Sequence, residues 1–129
     1  MSLPQAIKTM LHGISGISND QITYGQRNQQ AGLPAVTYLI TSNNILTIGT
    51  PADALKSCVV EIRAYATIAE DAQTYAESVV GQLATGTYNT IEFEGLTYEP
   101  PILQEPTGGE GEESEPFVCL VTTTIYYKE

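Results

Sequence analysis

The stretch CVVEIRAYATIAEDAQTYAESVVGQL, residues 58–83, limits the fold more than any other part of the chain. At its start Cys58, Val60, Ile62, Ala64 and Ala66 share one face, while Val59, Glu61, Arg63, Tyr65 and Thr67 share the other. Strict alternation of this kind marks a strand with two unlike faces. The period then lengthens to that of a helix, and Ala69, Ala72, Ala76, Val79, Val80 and Leu83 form one apolar stripe. Thr67-x-x-Glu70 reads as a capping box, Glu70 and Asp71 lie where the helix dipole favours negative charge, and Gly86 is placed to end the helix. A stripe that opens with alanines lets a helix lie close on a sheet. The small apolar face of the strand is what it would cover, and the mixed face is suited to solvent or to a neighbouring subunit.

Other elements follow from the same kind of pattern. Ser2, Pro4 and Gln5 make a good helix start, and Leu3, Ile7, Met10, Leu11 and Ile14 recur at helical spacing before Gly13 and Gly16 stop the run. A short strand is expected at Ile22–Tyr24. PAVTYLIT and ILTIGT read as the arms of a hairpin about Asn43-Asn44. YNTIEF and LTYEPPILQ read as a second hairpin about Glu94-Gly95, with Pro100-Pro101 confining its second arm to an edge. Phe117 to Tyr127 is a long strand rich in Val, Thr, Ile and Tyr. The predicted fold class is α+β: a mainly antiparallel sheet with two helices packed on one face, a two-layer sandwich. At 129 residues and 42% hydrophobic, one domain over 1–129 is expected, interrupted by the acidic segment EPTGGEGEESEP at 105–116.

Charge narrows the functions. Five basic residues stand against fifteen acidic ones, a net charge of −10, which opposes nonspecific binding to DNA, RNA or anionic membrane. MSLPQAIKTML has no basic region followed by an apolar one, and no run reaches the length of a membrane span, so a protein soluble in the cytosol at synthesis is expected. His12 is the sole histidine, and no Ser or Cys nucleophile is tied to it by spacing. Two separated cysteines with one histidine do not make a zinc site. Cys58 and Cys119 each lie in an apolar run, and two buried thiols or one bridge both satisfy the sequence. Glu92 and Glu94 share one face of a strand but point to solvent, and the acidic segment lacks the D-x-[DN]-x-[DN]-G pattern of a calcium hand. No phosphate-binding or dinucleotide glycine motif occurs. No catalytic residue, metal or cofactor is therefore expected, and the chain is read as a non-enzyme. Eight tyrosines suit either a protein–protein surface or ordinary half-buried sheet positions.

Taken together, PAVTYLI, the strand-to-helix run CVVEIRAYATIAEDAQTYAESVVGQL and the strand FVCLVTTTIYYKE resemble the tail-completion proteins of long-tailed bacteriophages. That family comprises small tail-to-head joining and tail-terminator subunits. The resemblance runs from the first helix to the last strand and rests on the order and pattern of elements. It implies a structural virion protein that assembles as a homo-oligomeric ring, commonly a hexamer, at the head-proximal end of the tail tube. Such a ring ends tube growth and meets the head-side connector or a head-completion protein, while DNA passes through its lumen without specific binding. It also implies a place in the neck of the virion, after assembly in the host cytoplasm, and no membrane.

Two sets of residues carry this expectation. Ile45, Leu46 and Ile48 are candidates for the subunit interface, because they flank a turn far from the helix-covered core. Glu110, Glu112, Glu113 and Glu115 are candidates for a lumen or partner surface. Six copies at −10 each total about −60, and DNA carries one negative charge per roughly 1.7 Å of its axis, so a lumen of like sign would repel rather than grip it. The alternative is a small acidic protein-binding module that recruits a basic partner through 105–116.

Overall fold

The computed structural model describes residues 2–14, 16–26, 32–46, 55–104 and 116–128. Helix α1 spans Leu3–Leu11 and begins where the Gln5 amide donates to the Ser2 hydroxyl at 3.3 Å. Its buried face is Leu3, Ala6, Ile7, Met10 and Leu11, and Gly13 at φ 99° turns the chain away. Ile14 lies beyond the helix but is buried against the same core.

Seven strands follow: β1 (Ile22–Tyr24), β2 (Ala35–Ile45), β3 (Lys56–Ala66), β4 (Gly86–Tyr88), β5 (Ile91–Tyr98), β6 (Ile102–Gln104) and β7 (Phe117–Lys128). Helix α2 spans Ala69–Gln82, between β3 and β4. The sheet order is β1-β2-β3-β7-β5-β4, with β6 also on β7, and every pairing is antiparallel except the short parallel one between β1 and β2. Among the described residues, no helix is long and apolar enough to cross a membrane.

The centre of the sheet is the β3–β7 ladder, paired without a break from Lys56 opposite Tyr127 to Ala66 opposite Phe117. Burial alternates along both strands, so Val60, Ile62, Val121 and Ile125 face the helices and are fully buried. Each such side chain contributes about 1.5–3 kcal/mol over its exposed state. Helix α2 lies over this ladder through Ala72, Ala76 and Val79, small side chains that permit close approach.

The expected α+β two-layer sandwich, a mainly antiparallel sheet with two helices packed on one face, is not what these elements build. Half of the described structure is strand and a quarter helix, and the mixed seven-stranded sheet is strongly curled into a half-barrel. Bulges help to bend it: Thr41 is an extra residue in β2, and Glu94 an extra residue in β5. A bulge increases local twist and bends the strand that carries it. Both of the expected hairpin turns also move. Asn43-Asn44 lies inside β2, which runs on to Ile45, and Glu94-Gly95 lies inside β5. The tight turn is Asn89-Thr90, where both residues have positive φ, 49° and 72°. That is a strained setting for a β-branched threonine. The Asn89 amide ties this turn to α1, donating to the Gln5 carbonyl at 3.2 Å and the Thr9 hydroxyl at 2.9 Å.

The caps of α2 differ from the expected ones as well. Ile68 is the N-cap with no side-chain bond, so the Thr67 box does not form, and the helix ends at Leu83 rather than near Gly86. Pro100-Pro101 separates β5 from β6, and both strands lie along the same side of β7. The two thiols are free and buried. Cys58 lies opposite Ile125 and Cys119 opposite Ala64, six positions apart on one ladder. At about 3.4 Å per residue that is ~20 Å, far beyond the reach of a disulfide.

Candidate functional site

Strand β2 changes character along its length. Ala35, Val36, Thr37 and Tyr38 are all buried, because β1 pairs with Val36–Tyr38 on one side and β3 lies on the other. Tyr24 adds an edge-on ring contact to Tyr38, with centroids 5.2 Å apart. Burial, with the Tyr24 hydroxyl nearby, pushes the Tyr38 phenol up to about 12. Among the described residues, pairing with β1 ends at Tyr38. From Thr41 to Leu46 every residue is exposed, and Ile45 and Leu46 keep 69% and 50% of their surface open to solvent.

This distal arm is nonetheless well formed. Ser42, Asn43, Asn44 and Ile45 stay in register with Val59, Cys58, Ser57 and Lys56. The Leu46 amide donates to the Leu55 carbonyl at 2.8 Å, so the ladder continues past the strand. Underneath, the fully buried Tyr127 donates its hydroxyl to the Asn43 side-chain oxygen at 2.7 Å. The arm is thus a supported ribbon with two large apolar side chains at its end. Of the three expected interface residues, Ile45 and Leu46 come together there, and Ile48 lies outside the described residues. Glu110, Glu112, Glu113 and Glu115 also lie outside them.

The sheet face turned from the helices carries Val59, Tyr65, Leu120 and Tyr126, all half-buried, with a Glu61–Arg63 pair at 3.7 Å whose side chains are about a third open to solvent. A second such pair joins Lys128 to Glu94 at 3.4 Å. Partly exposed pairs of this kind contribute at most about 1 kcal/mol. Tyr65 and Tyr126 are half-buried on this face, whereas Tyr127 is fully buried on the helix side.

His12 caps α1 at its C-terminal end and lines an open groove of about 560 Å³ with Gln5, Lys8, Thr9, Asn19 and Asn89. Among the described residues, no thiol or carboxylate lines that groove. Among the described residues, no three His, Cys, Asp or Glu side chains gather where they could hold a metal ion. Glu92 and Glu94 are exposed, on either side of the buried Phe93. Burial pushes the Cys58 thiol up to about 11, although a bond with the Ile125 backbone pulls it the other way, and Cys119 is shifted upward by burial and by Glu77 nearby. Such thiols are poor nucleophiles at neutral pH.

Two features of this surface escape sequence reasoning. The open edge of β2 follows from the shortness of β1, which no pattern in β2 records. The Tyr127–Asn43 bond joins residues 84 positions apart; an Asn pair in a β-rich run is its sole local sign. The chain matches no protein-family model, and no match to it is found among curated proteins.

Proposed function

We propose that this chain is a structural subunit of a tailed bacteriophage neck. It forms a homo-oligomeric ring, a hexamer on the family pattern, at the head-proximal end of the tail tube. The ring ends the tube, joins it to the head-side connector, and lets DNA pass through its lumen without specific contact. Its role is assembly rather than catalysis.

The observation that carries this reading is the distal arm of β2. From Ala35 to Leu46 the strand has no charged residue, in a chain of net charge −10. Copies of so acidic a protein repel one another, and their contacts form most readily where charge is lacking and apolar surface is open. Ile45 and Leu46 on a supported ribbon offer such a place. The resemblance of PAVTYLI, residues 58–83 and FVCLVTTTIYYKE to tail-completion proteins suggests the tail tube as the partner.

Electron microscopy of the protein mixed with its own tail tube tests the reading. Rings at one end of the tubes are the expected result, and monomers that ignore the tube defeat it. A monomer that ignores the tube but takes up a basic peptide, losing it when the carboxylates of 105–116 are changed to Gln, favours the acidic-module alternative instead.

A further inference from the structure

Each end of the sheet is only partly covered. Strand β1 pairs with Val36–Tyr38 of β2, and β4 pairs with Ile91–Phe93 of β5. Beyond those short covers, among the described residues, no strand lies on the outer edge of Thr41–Ile45 or of Glu94–Tyr98. A strand edge offers a row of backbone N–H and C=O groups to any extended chain. The β2 run has none of the charges or prolines that commonly guard such an edge.

We propose that the subunits of the ring are joined edge to edge, the distal arm of β2 in one copy pairing with β5 of the next. The proposal rests on the ring reading and adds the surfaces that make it. Polarity fits. β2, β3, β7 and β5 alternate in direction, so a sheet prolonged from one copy to the next brings β2 and β5 together antiparallel.

Side-chain direction fits as well. In the centred register Ser42 meets Thr97 and Asn43 meets Leu96. Asn43 and Leu96 both lie on the helix side, opposite Cys58 and Ile125 within their own sheets. Ser42 and Thr97 both lie on the other side, opposite Val59 and Thr124. Directly opposed residues of a ladder must share a face, and these two pairs satisfy that rule; Glu94, the extra residue of β5, lies beyond them beside Lys128.

Charge selects against one rival pairing. The β5 end carries Glu92, Glu94 and Glu99, so two copies of β5 would set carboxylates against each other. With β2 as partner, the run Thr41–Leu46 sets no charge of its own against those carboxylates. A β2–β2 contact would be isologous and would close as a two-fold dimer. Ring closure needs two different surfaces that complement each other.

The test uses one chain carrying both Ser42→Cys and Thr97→Cys, with each single variant and the wild type as controls. All are treated with a short bismaleimide reagent under conditions where native mass measurement shows an oligomer, with tail tube present if assembly needs it. Cys58 and Cys119 are buried, so the wild type should stay uncrosslinked on a denaturing gel. The double variant should give a ladder of multimers and each single variant only monomers. An intact oligomer without a ladder, or dimers from Ser42→Cys alone, overturns edge pairing and leaves the ring standing. A chain that forms no oligomer with or without tube overturns the ring and the edge pairing together.

Discussion

The two halves of β2 have similar strand-forming residues and opposite fates. Ala35–Tyr38 is buried on every residue, and Thr41–Ile45 is exposed on every residue. The backbone is extended in both, and both pair with β3. What differs is the outer neighbour, since β1 covers the first half and stops. Strand propensity therefore decides that β2 is a strand, and coverage by other elements decides which half supports the core. The first half is answerable to folding. In the proposed ring, the second half is answerable to assembly.

The sharpest test of that division is Tyr38→Ala in the covered half. Removing a buried aromatic should cost about 3–5 kcal/mol, read from the denaturation midpoint at low protein concentration. A loss no larger than that of an exposed residue would erase the distinction.

Alkaline pH probes both halves without mutation, since Tyr38 lies in the covered half and Cys58 of β3 lies opposite Asn43 in the exposed one. Tyr38 and Cys58 are both held above their ordinary values, to about 12 and about 11. Between the unfolded and folded values the unfolded chain has released protons that the native state still holds, so native stability falls as pH rises. The contribution is complete below the ordinary thiol value of 9.0 and disappears as pH climbs through about 11 and then about 12. Tyr38→Phe should remove the upper part of that decline. A midpoint unchanged up to pH 12 in the wild type speaks against buried, protonated groups at these positions.

Tyr127→Phe tests the support beneath the exposed half. Losing the bond to Asn43 should cost about 1 kcal/mol, against no more than ~0.5 kcal/mol for Tyr126→Phe on the wet face. Equal effects would mean that the bond does not hold the arm. The smallest change in stability should come from Ile45→Glu, within about 0.5 kcal/mol of wild type. Its effect should appear instead in light scattering, as loss of the oligomer. An oligomer that survives this substitution removes the arm from the interface, and a large loss of stability contradicts its exposure.

How far the sequence could be followed depended on whether a signal was local. Alternation in β3 and β7 is written into the residues themselves, and burial follows it position by position. Ser2 and the apolar face of α1 were legible for the same reason, as was the short β1. Curvature was not, because it depends on where Thr41 and Glu94 slip out of register with partners elsewhere in the chain. Asn43-Asn44 and Glu94-Gly95 look like turns by composition, yet each sits in a strand whose pairing overrides that preference. The turn that does form, Asn89-Thr90, lacks the glycine that would have marked it. Of the candidate interface, the apolar character of Ile45 and Leu46 could be read directly. Their exposure could not, since it depends on the length of β1.

The place of β7 in the sheet has a consequence for synthesis. It separates β3 from β5 and β6, so among the described residues the strands within 22–66 and those within 86–104 meet through residues 117–128. A nascent chain halted before Phe117 carries two unjoined half-sheets, and the inner side of β3 lies bare along its full length. Most long-range pairing must wait until that strand emerges, which makes folding a late event with slow, non-local steps. A ribosome-bound fragment ending near residue 104 should accordingly recruit chaperones, whereas one that includes the exposed β7 ladder should release them.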